Sequence, residues 1–230
     1  MQKTVLVTGA SSGFGTFLAR AFARAGYVVV LHGRDAKRLS AVREEIVRAE
    51  KAECPVIIAD LRSADGLATV KKAFQEWNVD VLINNAAVNP QLEWGAVSDV
   101  EKIDAVVSTN ISAAIALCYA AFSHFAARGG GAIVNINSVA GLRGSSREAV
   151  YAASKFGLRG FSESVKEEWL KHGVRMIDVY PGAMAAGMSG KRPDAQKLID
   201  PGELAGLLVY LCGTKSFYVQ SLAVRRTIVE

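Results

Sequence analysis

Short runs dense in Val, Ile and Leu alternate with longer segments of helical periodicity along the whole 230-residue chain. The apolar runs read as strands at Thr4–Thr8, Tyr27–His32, Val56–Ala59, Val81–Asn84, Ala132–Asn137, Arg175–Tyr180 and Leu222–Ile228. Between them, apolar residues recur at helical spacing over Gly15–Ala25, Ala36–Lys51, Ser63–Glu76, Val100–Ala127, Ala149–His172 and Pro201–Leu211. The glycines of "RGGG", Arg128–Gly131, stop a helix before the fifth strand. This alternation predicts an α/β fold, a doubly wound and mostly parallel seven-stranded sheet with helices on both faces and right-handed crossovers. No linker, repeat or low-complexity segment breaks the pattern, so a single domain over residues 1–230 is expected. Ligands of such sheets bind beyond the carboxyl ends of the strands, and the chemistry is sought there.

Composition narrows the class. Half of the residues are hydrophobic and 21% are charged, as in a water-soluble globular protein. No apolar run reaches the roughly 18 residues of a membrane span, and "TVLVTGA" is broken too early by Gly9 to be a secretory signal. A cytoplasmic protein with no membrane partner is expected. Cys54, Cys118 and Cys212 are odd in number and far apart in apolar surroundings, which suggests buried free thiols and no metal site. The formal charge of +5 raises the question of nucleic acid. The basic residues are interleaved with acids, as in "KRLSAVREEIVRAEKAE", so solvated helix faces are expected and no nucleic-acid partner.

Three strand ends carry the signs of a dinucleotide. The first strand runs into "TGASSGFG", Thr8–Gly15, where Gly9, Gly13 and Gly15 permit tight turns and let a pyrophosphate approach a helix N-terminus. The second ends in "LHGRD". Gly33 stands where a carboxylate for a ribose 2′-hydroxyl is expected, and Arg34 follows, which favours a 2′-phosphate and hence NADP(H) over NAD(H), with Asp35 alongside. Asp60, ending "IIADL", is placed to meet the adenine edge, and "INNAA" at Ile83–Ala87 offers side-chain amides that can tie neighbouring loops together. A fourth feature is "YAASK". Tyr151 and Lys155 are four positions apart, so on a helix they stack about 6 Å apart along the axis. An ammonium there favours the phenolate and draws a phenol of ordinary pKa about 10 towards useful proton transfer.

Taken together, TGxxxGxG at Thr8–Gly15, Asp60, NNA at Asn84–Ala86, Asn110 in the long fourth helix, Ser138 ending "IVNINS", YxxxK at Tyr151–Lys155 and Pro181–Gly182 resemble the short-chain dehydrogenase/reductase family, in its single-domain branch. The resemblance runs over nearly the whole chain. It implies a catalytic set of Asn110, Ser138, Tyr151 and Lys155. Ser138 would hydrogen-bond the carbonyl oxygen, Tyr151 would donate the proton, and the nicotinamide would deliver hydride to carbon. Lys155 would favour the tyrosinate and bond the nicotinamide ribose, while Asn110 would distort its helix and hold a water that continues the proton path. Cofactor contacts are implied for Gly9, Ser11, Ser12, Gly13, Phe14, Gly15, Arg34, Asp60, Leu61, Asn85, Ala86, Tyr151, Lys155, Pro181 and Gly182.

The expected activity is hydride transfer between NADP(H) and a carbonyl or secondary alcohol of a small organic substrate. Two alternatives are a 3-oxoacyl-(acyl-carrier-protein) reductase and a dinucleotide-binding regulator without chemistry; the intact catalytic set argues against the regulator. The apolar run "AAIALCYAAFSHFAA" predicts a homodimer or homotetramer through the helices at Val100–Ala127 and Ala149–His172. Some positions depart from the family pattern: Ala185 and Ala186 follow Pro181–Gly182 where many relatives carry threonine, Ala87 replaces a frequent glycine, and the C-terminus lacks a common glycine pair. Val139–Ser146 and Ala183–Ile199 should build the substrate pocket, with Arg143 and Arg147 as candidates for an anionic substrate and Met184 and Met188 as apolar lining. Gly187, Gly190 and Pro193 make Ala183–Ile199 a candidate mobile lid.

Overall fold

The structure, a computed structural model, describes residues 2–90, 99–144, 146, 148–187 and 197–227. Its strands are β1 (Thr4–Val7), β2 (Val28–Gly33), β3 (Val56–Ile58), β4 (Val81–Asn84), β5 (Gly131–Ile136), β6 (Val174–Pro181) and β7 (Ser221–Val224). They form one sheet in the order β3-β2-β1-β4-β5-β6-β7, and every neighbouring pair is parallel. The predicted doubly wound sheet is therefore present, with all its pairs parallel. The order reverses at β1, whose Val7 lies opposite Leu31 on one side and Ile83 on the other. Connections leave in opposite directions there, which opens a crevice at the carboxyl ends. The predicted last strand is displaced: β7 begins at Ser221 and its ladder with β6 closes at Pro181–Val224.

Side chains on these strands alternate between two apolar layers, because successive residues point to opposite faces. Val5, Val7, Val29 and Leu31 pack with Leu18 and Phe22 of α1 (Phe14–Arg24) and Leu39 and Ile46 of α2 (Ala36–Glu50). Leu6, Val30, Leu82 and Ile133 face the other way, onto Phe74 of α3 (Ala64–Glu76). A leucine buried to this degree contributes about 1.5–3 kcal/mol through burial, so both layers hold the strand ends firmly. Among the described residues, four α-helices start with a side-chain cap on a first-turn amide. Asp35 caps α2, Ser63 caps α3, Asp99 caps α4 (Val100–Val107), and Asp200 caps α7 (Pro201–Gly213). Cys54, Cys118 and Cys212 are buried free thiols, as the sequence suggests.

The long fourth helix is not uniform. After α4 the chain passes through a π-helical stretch, Ser108–Ala113, into α5 (Ala114–Ala126). Asn110 sits inside that stretch, so the expected distortion at this residue is real. Over Val100–Ala126 the helix is long and apolar enough to cross a membrane, with mean hydropathy 1.7 over its most apolar window. Ser108, Thr109, Asn110 and Ser112 interrupt its apolar run without bringing charge. Its inner side, Leu117, Cys118, Ala121 and Phe125, is committed to the core beneath β4 and β5.

Candidate active site

A cleft of about 920 Å³ opens at the carboxyl ends of the strands, at the upper end of the usual range for cofactor pockets. Its floor is the turn from β1 into α1. Gly9 has φ +67° and a Cβ there would meet the Ala86 Cα at 2.9 Å, so the β1 and β4 loops touch backbone to backbone. A Cβ on Gly15 would lie 2.2 Å from the Gly9 carbonyl oxygen. Gly15 accordingly stands behind the wall: it seats α1 on the loop, whereas Gly9, Ser11, Ser12, Gly13 and Phe14 line the cleft. The first turn of α1 has no side-chain cap and no acidic residue. Its free N–H groups and the positive end of the helix dipole suit a pyrophosphate, and the residues present fit a dinucleotide.

Asn85 locks this floor. Its Nδ2 donates to the Thr8 carbonyl at 2.8 Å, while the backbone amides of Asn85 and Ala86 donate to the Thr8 hydroxyl at 3.0 and 3.1 Å. The tie between loops expected from "INNAA" is thus made. Where β2 and β3 end, Gly33, Arg34, Asp60 and Leu61 form the rim. Asp35 does not compete there, since it caps α2 and pairs with Arg38 at 3.1 Å.

On the opposite wall, Ser138, Tyr151 and Lys155 converge with Pro181 and Gly182. Tyr151 and Lys155 lie in the first turns of α6 (Ala149–Leu170), and Ser138 follows β5. Lys155 is 2% exposed; its Nζ donates to the Ile136 carbonyl at 2.8 Å and lies 5.6 Å from the centre of the Tyr151 ring. Burial lowers the pKa of this ammonium to about 8. The Tyr151 phenol stands above its ordinary value, raised first by burial, drawn back by a hydrogen bond with Ser138, and raised again by Glu148.

Behind these groups is a buried amide framework that the sequence did not reveal. The Asn137 Oδ1 accepts from the Ser138 amide at 3.1 Å and its Nδ2 donates to the Lys155 carbonyl at 3.3 Å, which fixes the two residues relative to each other. Asn110 is absent from the cleft wall. Its amide bonds Val88 in both directions, each at 2.9 Å, and donates to the Ser154 hydroxyl at 3.1 Å. Both amide protons are taken, so any part in a proton path falls to its backbone. Ser154 in turn donates to the Tyr151 carbonyl at 2.6 Å; a serine three residues after the tyrosine on a buried helical stripe was the available signal.

Residues 3–197 match the family of short chain dehydrogenases. The chain belongs to that family. Among relatives of this dehydrogenase, a sepiapterin reductase from Chlorobaculum tepidum is 33% identical over 222 residues, 91% of this chain and 89% of that protein. A 3-oxoacyl-[acyl-carrier-protein] reductase from Chlamydia trachomatis is 28% identical over 232 residues, covering 95% and 93%. The crystal structure of a metagenomic short-chain oxidoreductase in complex with NADP superposes with a TM-score of 0.86 at 31% identity, over 98% of each chain.

The cleft wall of this short-chain dehydrogenase also includes Asn89, Arg143, Glu148 and Met184. Asn89 donates to Glu148 at 2.9 Å. Arg147 and Met188 lie outside the described residues, as does most of the candidate lid. Its two flanks pair: Met184 bridges to Ile199, the Ala185 amide donates to the Ile199 carbonyl at 3.0 Å, and the Ile199 amide donates to Ala183 at 3.1 Å. Gly187, at φ +55°, lies against Gly13 at the N-terminus of α1.

Proposed function

We propose that this short-chain dehydrogenase is an NADP(H)-dependent oxidoreductase interconverting a carbonyl and a secondary alcohol on a small organic substrate. The observation that carries the reading is the convergence of Ser138, Tyr151 and Lys155 on one wall of a cleft whose floor is the uncapped N-terminus of α1. When bound, NADP(H) supplies or accepts the hydride. Ser138 holds the carbonyl oxygen, and Tyr151 gives that oxygen its proton in reduction or takes it in oxidation. Lys155 sets the charge beside the phenol and bonds the nicotinamide ribose. Asn110 acts from behind, holding Val88 and Ser154 and through them the loop and helix that carry the wall. Gly9, Ser11, Ser12, Gly13 and Phe14 hold the pyrophosphate, with Gly15 seating α1 below them. Arg34 meets the 2′-phosphate, Asp60 and Leu61 the adenine, Asn85 and Ala86 the riboside, and Pro181 and Gly182 the nicotinamide. The NADP-bound relative supports the choice of cofactor.

Residues 1–230 act as one catalytic unit, which assembles into a homodimer or homotetramer. Tyr119 is 53% exposed and meets Phe161 at a tilt and Trp169 edge-on, while Phe156 of α6 is 41% exposed. The exposed Tyr119 and Phe156 are apolar surface that a second copy would cover. A second reading is favoured by the Chlamydia relative and by Arg143 at the cleft: reduction of a 3-oxoacyl group on a carrier protein. Oxidation of NADPH against aldehydes, ketones, quinones and 3-oxoacyl thioesters separates the two. Turnover with the small carbonyls is expected. Turnover with the thioesters alone moves the assignment to the carrier protein, and tight cofactor binding with no turnover on any class moves it to a regulator.

A further inference from the structure

Two guanidinium groups face one carboxylate where β2 and β3 end. Arg62 closes a fork on Asp60. Its Nη2 donates to Oδ2 at 2.6 Å, its Nε to Oδ1 at 3.0 Å and to Oδ2 at 3.1 Å, and its backbone N–H to Oδ1 at 3.0 Å. The Arg34 Nη1 lies 3.9 Å from the same Oδ2, outside hydrogen-bond reach. The backbone below is fixed as well: the Asp60 carbonyl accepts from the Ser63 amide at 3.1 Å and its hydroxyl at 3.0 Å, and a Cβ on Gly66 would come 2.1 Å from that oxygen. Hydrogen bonding from Arg62 holds the Asp60 carboxyl down at about 2. Other charges near the rim are Asp35, paired to Arg38, and Asp104, which also acts on Arg62, while burial keeps His32 neutral at about 4.

We propose that Arg62 is a positioning residue for cofactor choice: by engaging Asp60 in a fork it keeps that carboxylate off Arg34 and leaves Arg34 for a 2′-phosphate. This rests on the reading that Arg34 meets the phosphate. The geometry gives the reason. Arg34 and Asp60 are already at ion-pair distance, and an Asp60 released from Arg62 would need only a side-chain rotation to form a full arginine–carboxylate pair. Such a pair would neutralise the cation and set a carboxylate beside a dianion, which selects against NADP(H) and leaves NAD(H) untouched. With the fork closed, Arg34, Asp60 and Arg62 together carry one net positive charge. The groups are partly exposed, so solvent screening keeps the effect moderate.

The experiment is calorimetric titration of the full-length protein with NADPH and with NADH, comparing wild type, Arg34→Ala, Arg62→Ala, Asp60→Asn and the Arg62→Ala/Asp60→Asn double variant. The ratio of the two dissociation constants cancels the adenine contacts common to both cofactors and is insensitive to the fraction folded. Arg62→Ala is expected to lower the preference for NADPH about three- to tenfold, with NADH affinity changed less than about twofold. In the double variant the preference should return to that of Asp60→Asn alone. A preference unmoved by Arg62→Ala, while Arg34→Ala lowers it, overturns this inference and spares the phosphate reading. A loss that persists without the Asp60 charge also overturns it, because Arg62 would then be holding the phosphate itself. If Arg34→Ala leaves the ratio unchanged, the phosphate reading fails and takes the inference with it.

Discussion

The two ends of the cleft use charge in opposite ways. At the adenosine rim Arg34, Asp60 and Arg62 are between a third and just over half exposed, held by one another and bathed in solvent. At the catalytic wall Lys155 is 2% exposed and its pKa falls to about 8 because burial disfavours the charged form. A screened charge can be exchanged for another partner at little cost, which suits a group that selects between cofactors. A buried charge is held in one geometry by packing and a few hydrogen bonds, which suits a group proposed to set the charge beside one phenol. On the proposed function, the rim tunes affinity and the interior tunes reactivity.

Removing the proton donor should break the contrast most strongly. Tyr151→Phe is expected to lower kcat at least about a hundredfold, the usual scale for a positioned general acid. NADPH affinity should change only a few-fold, about 1 kcal/mol or less. A folded variant with near-normal turnover would remove Tyr151 from the mechanism. At the rim the pattern should invert: Arg34→Ala is expected to lower NADPH affinity about ten- to a hundredfold, with NADH affinity and kcat nearly unchanged. Titration with both cofactors, beside saturating kinetics, reads the two effects separately.

How much of this was legible in the sequence follows the same division. Strands and helices were readable because each is a local pattern: β1 through β6 begin and end within about two residues of the apolar runs. The glycine loop was readable too, since Gly9 and Gly13 at φ above +60° or near it are local backbone demands. What escaped was contact across long separations. Asn110 meets Val88 over 22 residues and Asn137 meets Lys155 over 18, and only the tertiary fold brings them together. Gly15 and Asn110 were assigned to the site for their place in a motif, yet both support the wall from behind. The fork at Asp60 escaped for another reason: an arginine two residues from an acid reads as ordinary solvated charge until the loop geometry is known.

A smaller effect should appear in the pH profile. Lys155 is protonated below about pH 8 and loses its charge above it. The phenol titrates higher, so the ammonium sets the alkaline limb of kcat/KM for carbonyl reduction in the free enzyme. The expected fall is about tenfold per pH unit above that point. A flat profile up to pH 9.5, about one and a half units beyond, would mean that the charge of Lys155 is not needed for the step.

The last test separates burial of charge from use of charge. Asp178, on β6, is 2% exposed and lies outside the cleft; its Oδ1 accepts from the Ser162 hydroxyl at 2.9 Å and the Asn135 amide at 3.3 Å. Burial raises its pKa to about 6, and those two bonds and Lys166 only partly offset that rise. The folded protein therefore holds this proton more tightly than the unfolded chain, whose carboxyl titrates near 3.8. Stability is greatest while both states are protonated and falls as pH rises from about 4 to about 6, and the loss persists at higher pH. Asn at this position keeps an acceptor for Ser162 and Asn135 and removes the charge. Asp178→Asn is thus expected to gain on the order of 1–2 kcal/mol at pH 8, with the gain fading below pH 4, while kcat stays unchanged. Urea unfolding at the two pH values measures it. An equal gain at both would place the effect in packing, and a loss at pH 8 would show that Ser162 and Asn135 need the ionised carboxylate, making this buried charge a structural acceptor whose bonds outweigh its desolvation.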